Sequence, residues 1–250
     1  MSKADMLRLE IAANSLGSAL AAQNGGADRL ELCENLGEGG CTPSYGTLAL
    51  ARERLQIGLH VLIRPRAGDF LYSPLEVELM RRDIELCVKL GCDGVVIGAL
   101  DAEGAVDMST CQALIEVAGT LDVTFHRALD AAREPTAALE AAIRLGCRRV
   151  LTSGGGASAM DGAASIAGLV QQAAGRIEVM AGAGVNAGNI ADLARITGVR
   201  DLHASAKQRV SSQMCWSNPA LIGLDNDWQA SDAATVAGLR QALDQAFIGA

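Results

Sequence analysis

Four times along this chain a helix-like stretch ends in glycine, one residue follows, and a charged residue then opens an apolar run. The four are Gly26-Ala27-Asp28, Gly91-Cys92-Asp93, Gly146-Cys147-Arg148 and Gly198-Val199-Arg200. Glycine is favoured after a helix because it takes left-handed backbone without steric cost. The device recurs about every 50–65 residues, enough for two strand–helix units each time. Apolar runs near 7–12, 29–34, 58–64, 94–100, 122–127, 149–153, 177–182 and 201–205 supply the strands, with helical patterns between them. The clearest helix is Pro74–Leu90, with Pro at its start, apolar residues near helical spacing and Gly91 behind; Pro135–Leu145 repeats the design before Gly146. Eight alternating units predict an α/β chain folded as one (β/α)8 TIM-type barrel over residues 1–250. A doubly wound open sheet is the runner-up, disfavoured because no G-x-G-x-x-G follows the first run. Residues 207–229 break the pattern and read as a long loop after strand eight, suited to a lid or a subunit contact.

Composition narrows the function. Half of the 250 residues are hydrophobic, the net charge is −8, and lysine occurs only at Lys3, Lys89 and Lys207. An acidic chain without a basic block argues against nucleic acid or an anionic membrane as partner. Residues 1–20 show no basic segment followed by an apolar one, and no run reaches ~18–20 apolar residues, so the expected address is the cytoplasm. Seven cysteines (33, 41, 87, 92, 111, 147 and 215) form no regular framework, and in that compartment they should be reduced. Cys87, Cys111 and Cys147 read as small buried apolar residues.

In such a barrel the working residues stand at the C-terminal ends of the strands. The stretch Val123–Asp130 puts a His and an Arg there, and other runs end in Glu10, Glu31-Leu32-Cys33, Arg64, Ser153 and His203. Strand alternation makes Glu10, Glu31, Cys33, Arg64, His126, Ser153 and His203 the inward set. Glu10 or Glu31 facing Arg64 or Arg127 would be a structural ion pair; two histidines beside them call for something more. His60 lies a layer deeper and reads as a core histidine. Glycine- and serine-rich turns at Thr152–Gly156, Ala181–Val185 and His203–Ala206 expose backbone amides suited to an anion, with Gly182, Gly184 and Ser205 well placed and Lys207 or Arg209 as a charge. Cys33 shares the inferred face with His126 and His203, a combination that suits soft or borderline metals. No C-x-x-C and no H-E-x-x-H accompany it.

These runs resemble the CutC family, described as copper-homeostasis proteins. The resemblance rests on Gly25–Cys33, Glu38-Gly-Gly40 with Thr42-Pro-Ser44, Ile63–Arg66 with Gly68–Tyr72, Asp93–Leu100, Thr124–Ala128 with Asp130, Arg149–Gly154, Gly182–Gly184 and His203–Ala206, in order over residues 7–210. It implies a TIM-type barrel, a cytoplasmic homodimer or larger homo-oligomer, and Cu(I) bound through Cys33. Cys41 stands where that pattern would carry Leu or Thr. The residues matching best are Glu31, Arg64, Arg66, His126, Arg127, Asp130, Ser153 and His203, which make a polar pocket. Two functions therefore stand side by side. One is a Cu(I)-binding homeostasis protein. The other is an enzyme on a small anionic molecule, phosphorylated metabolites included. In the second, Glu10, Glu31, Arg64, His126 and His203 are the catalytic candidates, and Arg66, Arg127, Ser153, Gly154, Gly182, Gly184 and Ser205 hold the anion. Schiff-base chemistry is disfavoured, since Lys207 is the one lysine near the mouth.

Overall fold

The computed structural model describes residues 7–222 and 224–248. Among them, eight parallel strands close into a barrel: β1 (Arg8–Ala13), β2 (Arg29–Leu32), β3 (Gly58–Leu62), β4 (Gly94–Ile97), β5 (Asp122–Phe125), β6 (Arg149–Thr152), β7 (Glu178–Gly182) and β8 (Asp201–Ala204). Helices α1 (Leu16–Asn24), α2 (Tyr45–Arg54), α3 (Pro74–Leu90), α4 (Met108–Ala118), α5 (Ala128–Ala131), α6 (Pro135–Arg144), α7 (Ala163–Ala173), α8 (Ile190–Thr197) and α9 (Ala233–Ile248) surround it. This is the expected (β/α)8 barrel. The predicted helix 74–90 is found with those bounds. Ser73 caps it in a reciprocal box with Glu76, Pro74 opens its first turn, and Gly91 closes it in left-handed backbone.

Alternation sorts each strand into two faces. Outward residues such as Leu9, Ile11, Leu30, Leu59, Val95, Phe125 and Leu202 are fully buried under the helices, in one continuous apolar layer. The inward faces are different. Near the N-terminal ends of the strands they carry charge: Arg29 donates to Glu10 and, at 3.1 Å, to Asp201, while Arg8 reaches Asp201 at 2.6 Å and Glu178 at 2.8 Å. Arg149 extends the network to Thr124 at 3.1 Å and Asp122 at 3.3 Å, with His60 Nδ1 at 3.5 Å. His60 is thus the deep, buried histidine expected, and burial pushes its pKa down to about 4. The ion pair anticipated between Glu10 or Glu31 and Arg64 or Arg127 does not form. In-register pairing sets Glu10 directly beside Arg29 on β2 and His203 on β8, so Glu10 is already taken.

The segment 207–229, expected to be irregular throughout, begins and ends in strands. β9 (Lys207–Val210) pairs antiparallel with β10 (Trp228–Ser231), placing Val210 opposite Trp228. The hairpin is anchored to the barrel by Asn14 Nδ2 on the Gln229 carbonyl at 2.8 Å and by the Ser231 amide on Ser18 Oγ at 3.0 Å. Its distal part leaves Met214, Trp216, Ile222 and Leu224 exposed.

Removing one partner of a buried charge pair leaves the other uncompensated, at a cost of about 3–5 kcal/mol. Arg29→Met should therefore lower stability by about 3 kcal/mol or more in urea unfolding, because the buried Glu10 loses its guanidinium and Asp201 keeps only Arg8. Arg82→Met, which removes an exposed pair with Glu85 on α3, should change it by less than about 0.5 kcal/mol. Equal effects would mean that the inner network carries no such weight.

Candidate functional site

The strand ends open into a cavity of about 670 Å³ at the C-terminal mouth of the barrel, with Glu31, Arg64, His126, Arg127, Ser153 and His203 among its walls. It is the size of a small-molecule site. The residues around it are held in two sets.

The first set is Glu10, Glu31 and His203, whose ligating atoms all lie within 4.8 Å of one another. His203 Nδ1 donates to Glu10 Oε1 at 2.7 Å, and Glu10 also accepts from Arg29 Nε. Burial opposes charge on Glu10, but Arg29 and the His203 hydrogen bond outweigh it and hold the carboxyl well below its usual range. Burial likewise opposes charge on His203, yet Glu31 and Glu10 raise it above the ordinary imidazole value. Glu31 has no such cation in contact. Its Oε2 is buried without a hydrogen-bond partner, and burial raises its pKa to about 7. The charges of Glu31 and His203 act on one another, that of His203 favouring ionised Glu31 and that of Glu31 favouring protonated His203.

The second set surrounds His126. Gly98, just past the end of the neighbouring β4, leaves room for the ring: a Cβ there would come within 2.5 Å of His126 Nδ1. The Ala128 amide donates to that Nδ1 at 3.1 Å, so the neutral ring carries its proton on Nε2, which is buried with no partner. Burial, reinforced by the charge of Arg64, pushes His126 down to about 3. Phe70 packs against the imidazole with ring centroids 4.9 Å apart, and the Arg64 guanidinium lies 5.2 Å over Phe70. Arg64 itself donates to the carbonyls of Glu38, Gly40 and Gly68 at 2.7–2.9 Å. It ties two loops into one wall.

The expected anion ligands divide. Arg127 lines the cavity, donating to Asp130 at 2.8 Å and to Ser153 Oγ at 2.7 Å, and Gly184, Ser205 and Lys207 line it on the opposite rim. Arg66 stands outside, paired with Glu76 and Asp69. In the β6 turn, the amides of Ser153 and Gly155 donate to Asp130 and that of Gly154 to Thr152 Oγ1, so this nest is filled by the chain's own carboxylate. Gly182 makes room for His203: a Cβ on it would meet Leu151 at 2.7 Å and His203 at 3.2 Å. Cys33 is fully buried beneath Leu36 with Leu62 and Val96, behind the cavity wall. Its thiol contacts the Ala13 carbonyl at 3.6 Å, and burial followed by the charge of Glu31 drives its pKa up. One residue that supports the site was missed: Arg29 opens its strand, where the end-of-strand rule does not look.

The chain matches the family model described as CutC family over residues 7–208. A protein of Xanthomonas campestris pathovar campestris named family protein CutC is 58% identical over 238 residues, covering 95% of this chain and 99% of its own. One of Bacteroides thetaiotaomicron, with the same name, is 51% identical and covers 86% of each chain. Among solved structures, a Streptococcus agalactiae protein described as copper homeostasis protein CutC superposes with a TM-score of 0.77 at 33% identity, covering 80% of this chain and 99% of that one.

Glu31 titrates in the opposite direction from the buried His126 and His60. Glu31 has a folded value near 7, above its ordinary 4.5, so its contribution to stability is whole below about pH 4.5 and is lost as pH rises through 7. His126 and His60, at about 3 and about 4, contribute fully above pH 6.5 and lose it as pH falls. Glu31→Gln should therefore gain on the wild type by on the order of 2 kcal/mol between pH 5 and pH 8 in urea unfolding. A difference independent of pH would place Glu31 in the ordinary carboxylate range.

Proposed function

The chain belongs to the CutC family, and from its pocket we propose that it is an acid–base enzyme acting on a small anionic metabolite at the barrel mouth. The observation that carries this reading is Glu31, a carboxyl in the wall of a ligand-sized cavity with an unpartnered buried oxygen and a pKa of about 7. A general base or acid works best when its pKa lies near the working pH. His203, oriented by Glu10, stands within reach to pass a second proton, as an imidazole does when a carboxylate fixes its tautomer. Arg127 and Lys207, on opposite rims, supply charge for the anionic end of the substrate. The same reading puts the protein in the cytoplasm, where its seven unpaired cysteines stay reduced. It is a homodimer or larger, joined through the exposed apolar residues of the β9–β10 hairpin.

Copper is the second ligand to weigh, because the Streptococcus agalactiae relative is described as a copper homeostasis protein. A role in homeostasis does not require the protein to hold the ion. Cu(I) is selected by soft sulfur donors, and here the three clustered donors are two carboxylates and an imidazole, with Glu10 committed to Arg29. Cys33 stands apart, its thiolate opposed by burial and by Glu31, by the half-buried Cys41 and by Glu34. These residues do not fit a Cu(I) centre, so copper enters no step.

Both readings can be tested on purified protein. Incubated with a pooled extract of anionic metabolites and followed by mass spectrometry, the wild type should deplete one phosphate- or carboxylate-bearing compound. Glu31→Gln should slow that turnover at least about 100-fold, and Cys33→Ser should not. In an anaerobic titration against a Cu(I) chelator, no tight Cys33-dependent binding is expected. Tight binding of one Cu(I) per chain, lost in Cys33→Ser, with no metabolite consumed, would reverse the assignment.

A further inference from the structure

The acid–base reading gives His126 no task, although its side chain is held on several sides. Its Nδ1 is filled by the Ala128 amide, its ring is wedged between Gly98 and Phe70, and its Nε2–H has no protein partner. A buried donor left unpaired costs about 1–3 kcal/mol. Such a group is retained where a ligand completes it. It cannot act as a base, because the one acceptor on the ring is already used. It is a fixed, uncharged donor.

We propose that His126 Nε2–H hydrogen-bonds a carbonyl oxygen of the substrate, so that the substrate is an anionic α-hydroxy carbonyl compound and the reaction a proton shift beside that carbonyl. The inference rests on the acid–base reading and deepens it. Glu31, on β2, and His126, at the end of β5, face the cavity from strands three apart in the barrel, so a substrate between them meets a base on one side and a donor on the other. The Glu31 carboxylate takes the proton from the carbon bearing the hydroxyl. The C–H electron pair becomes the C=C bond of an enediolate, and the carbonyl π pair moves onto the oxygen held by His126. Glu31 then returns its proton to the former carbonyl carbon. The hydroxyl hydrogen passes through His203 to the oxygen at His126, leaving the carbonyl on the neighbouring carbon. The sum is a 1,2-shift of hydrogen, with no oxidant and no co-reactant. An uncharged imidazole suits this step because it stabilises developing negative charge without surrendering a proton to it.

The test compares two probes by calorimetry: phosphoglycolohydroxamate, which resembles the enediolate, and glycerol 3-phosphate, which has the phosphate but no carbonyl. The wild type should bind the hydroxamate at least about tenfold tighter. His126→Phe should bring the two within about twofold while keeping the affinity for glycerol 3-phosphate, which also reports that the variant is folded. His126→Gln, which retains an N–H donor, should recover part of the preference. In the wild type, ¹⁵N NMR should show His126 as the neutral Nε2–H tautomer from pH 5 to 8. An imidazolium signal, or a preference unchanged in His126→Phe, overturns the proposal. Glycerol 3-phosphate bound without hydroxamate preference also overturns it, as does binding of neither probe. In each case Glu31-dependent turnover of another metabolite leaves the acid–base reading standing. Without such turnover both fall.

Discussion

The Glu10–Arg29 pair is the contact on which the interior of this barrel depends. A barrel of eight strands must fill its axis with side chains, and here the lower part is filled with ions rather than with branched apolar residues. Arg29 satisfies Glu10 on one side and Asp201 on the other, and Arg8 and Glu178 extend the chain of charges around the wall. Because Glu10 is ionised by Arg29, it can hold His203 by Nδ1. Because His203 is held there, its charge lies against Glu31 and couples the titration of the two. The structural pair at the bottom of the barrel thus sets the proton affinity of the groups at the top.

Across the mouth, Arg64 has an equally structural duty. It joins the loop containing Glu38 and Gly40 to the loop containing Gly68, and its stacking on Phe70 presses that ring against His126. A cation at a strand end reads, in sequence, as a ligand for an anion. Here three of its N–H groups go to carbonyl oxygens, and Arg127 and Lys207 are further cations in the cavity wall. The β6 turn shows the same economy. Asp130 fills a nest of amides that would otherwise invite a phosphate.

The architecture was legible because its signals are local. Glycine after each helix, period-two runs and the capping residues around Ser73 and Pro74 each depend on a few neighbouring residues, and they agreed with one another. The inward placement of Glu10, Glu31, His126 and His203 followed from the same alternation. Pairing was not legible, because it depends on register between strands. Only the alignment of Glu10 with Arg29 and His203 shows that Glu10 is not available to Arg64 or Arg127. Cys33 obeyed the alternation too, but loop 34–41 folds back over it through the Glu34–Cys41 bridge and removes it from the cavity. The 207–229 segment hid two strands because each spans only four residues and their pairing joins positions about twenty apart.

The clamp made by Arg64 has an electrostatic consequence. None of its three hydrogen bonds goes to a carboxylate, so carbonyl dipoles spread its charge without cancelling it. A chain with net charge −8 therefore keeps a full positive charge in the wall of its own cavity, where it adds to the burial that keeps His126 neutral. Low-dielectric walls focus such a field outward through the opening. An anionic ligand of the kind proposed would be drawn to this opening, and its rate of arrival would fall as salt screens the field.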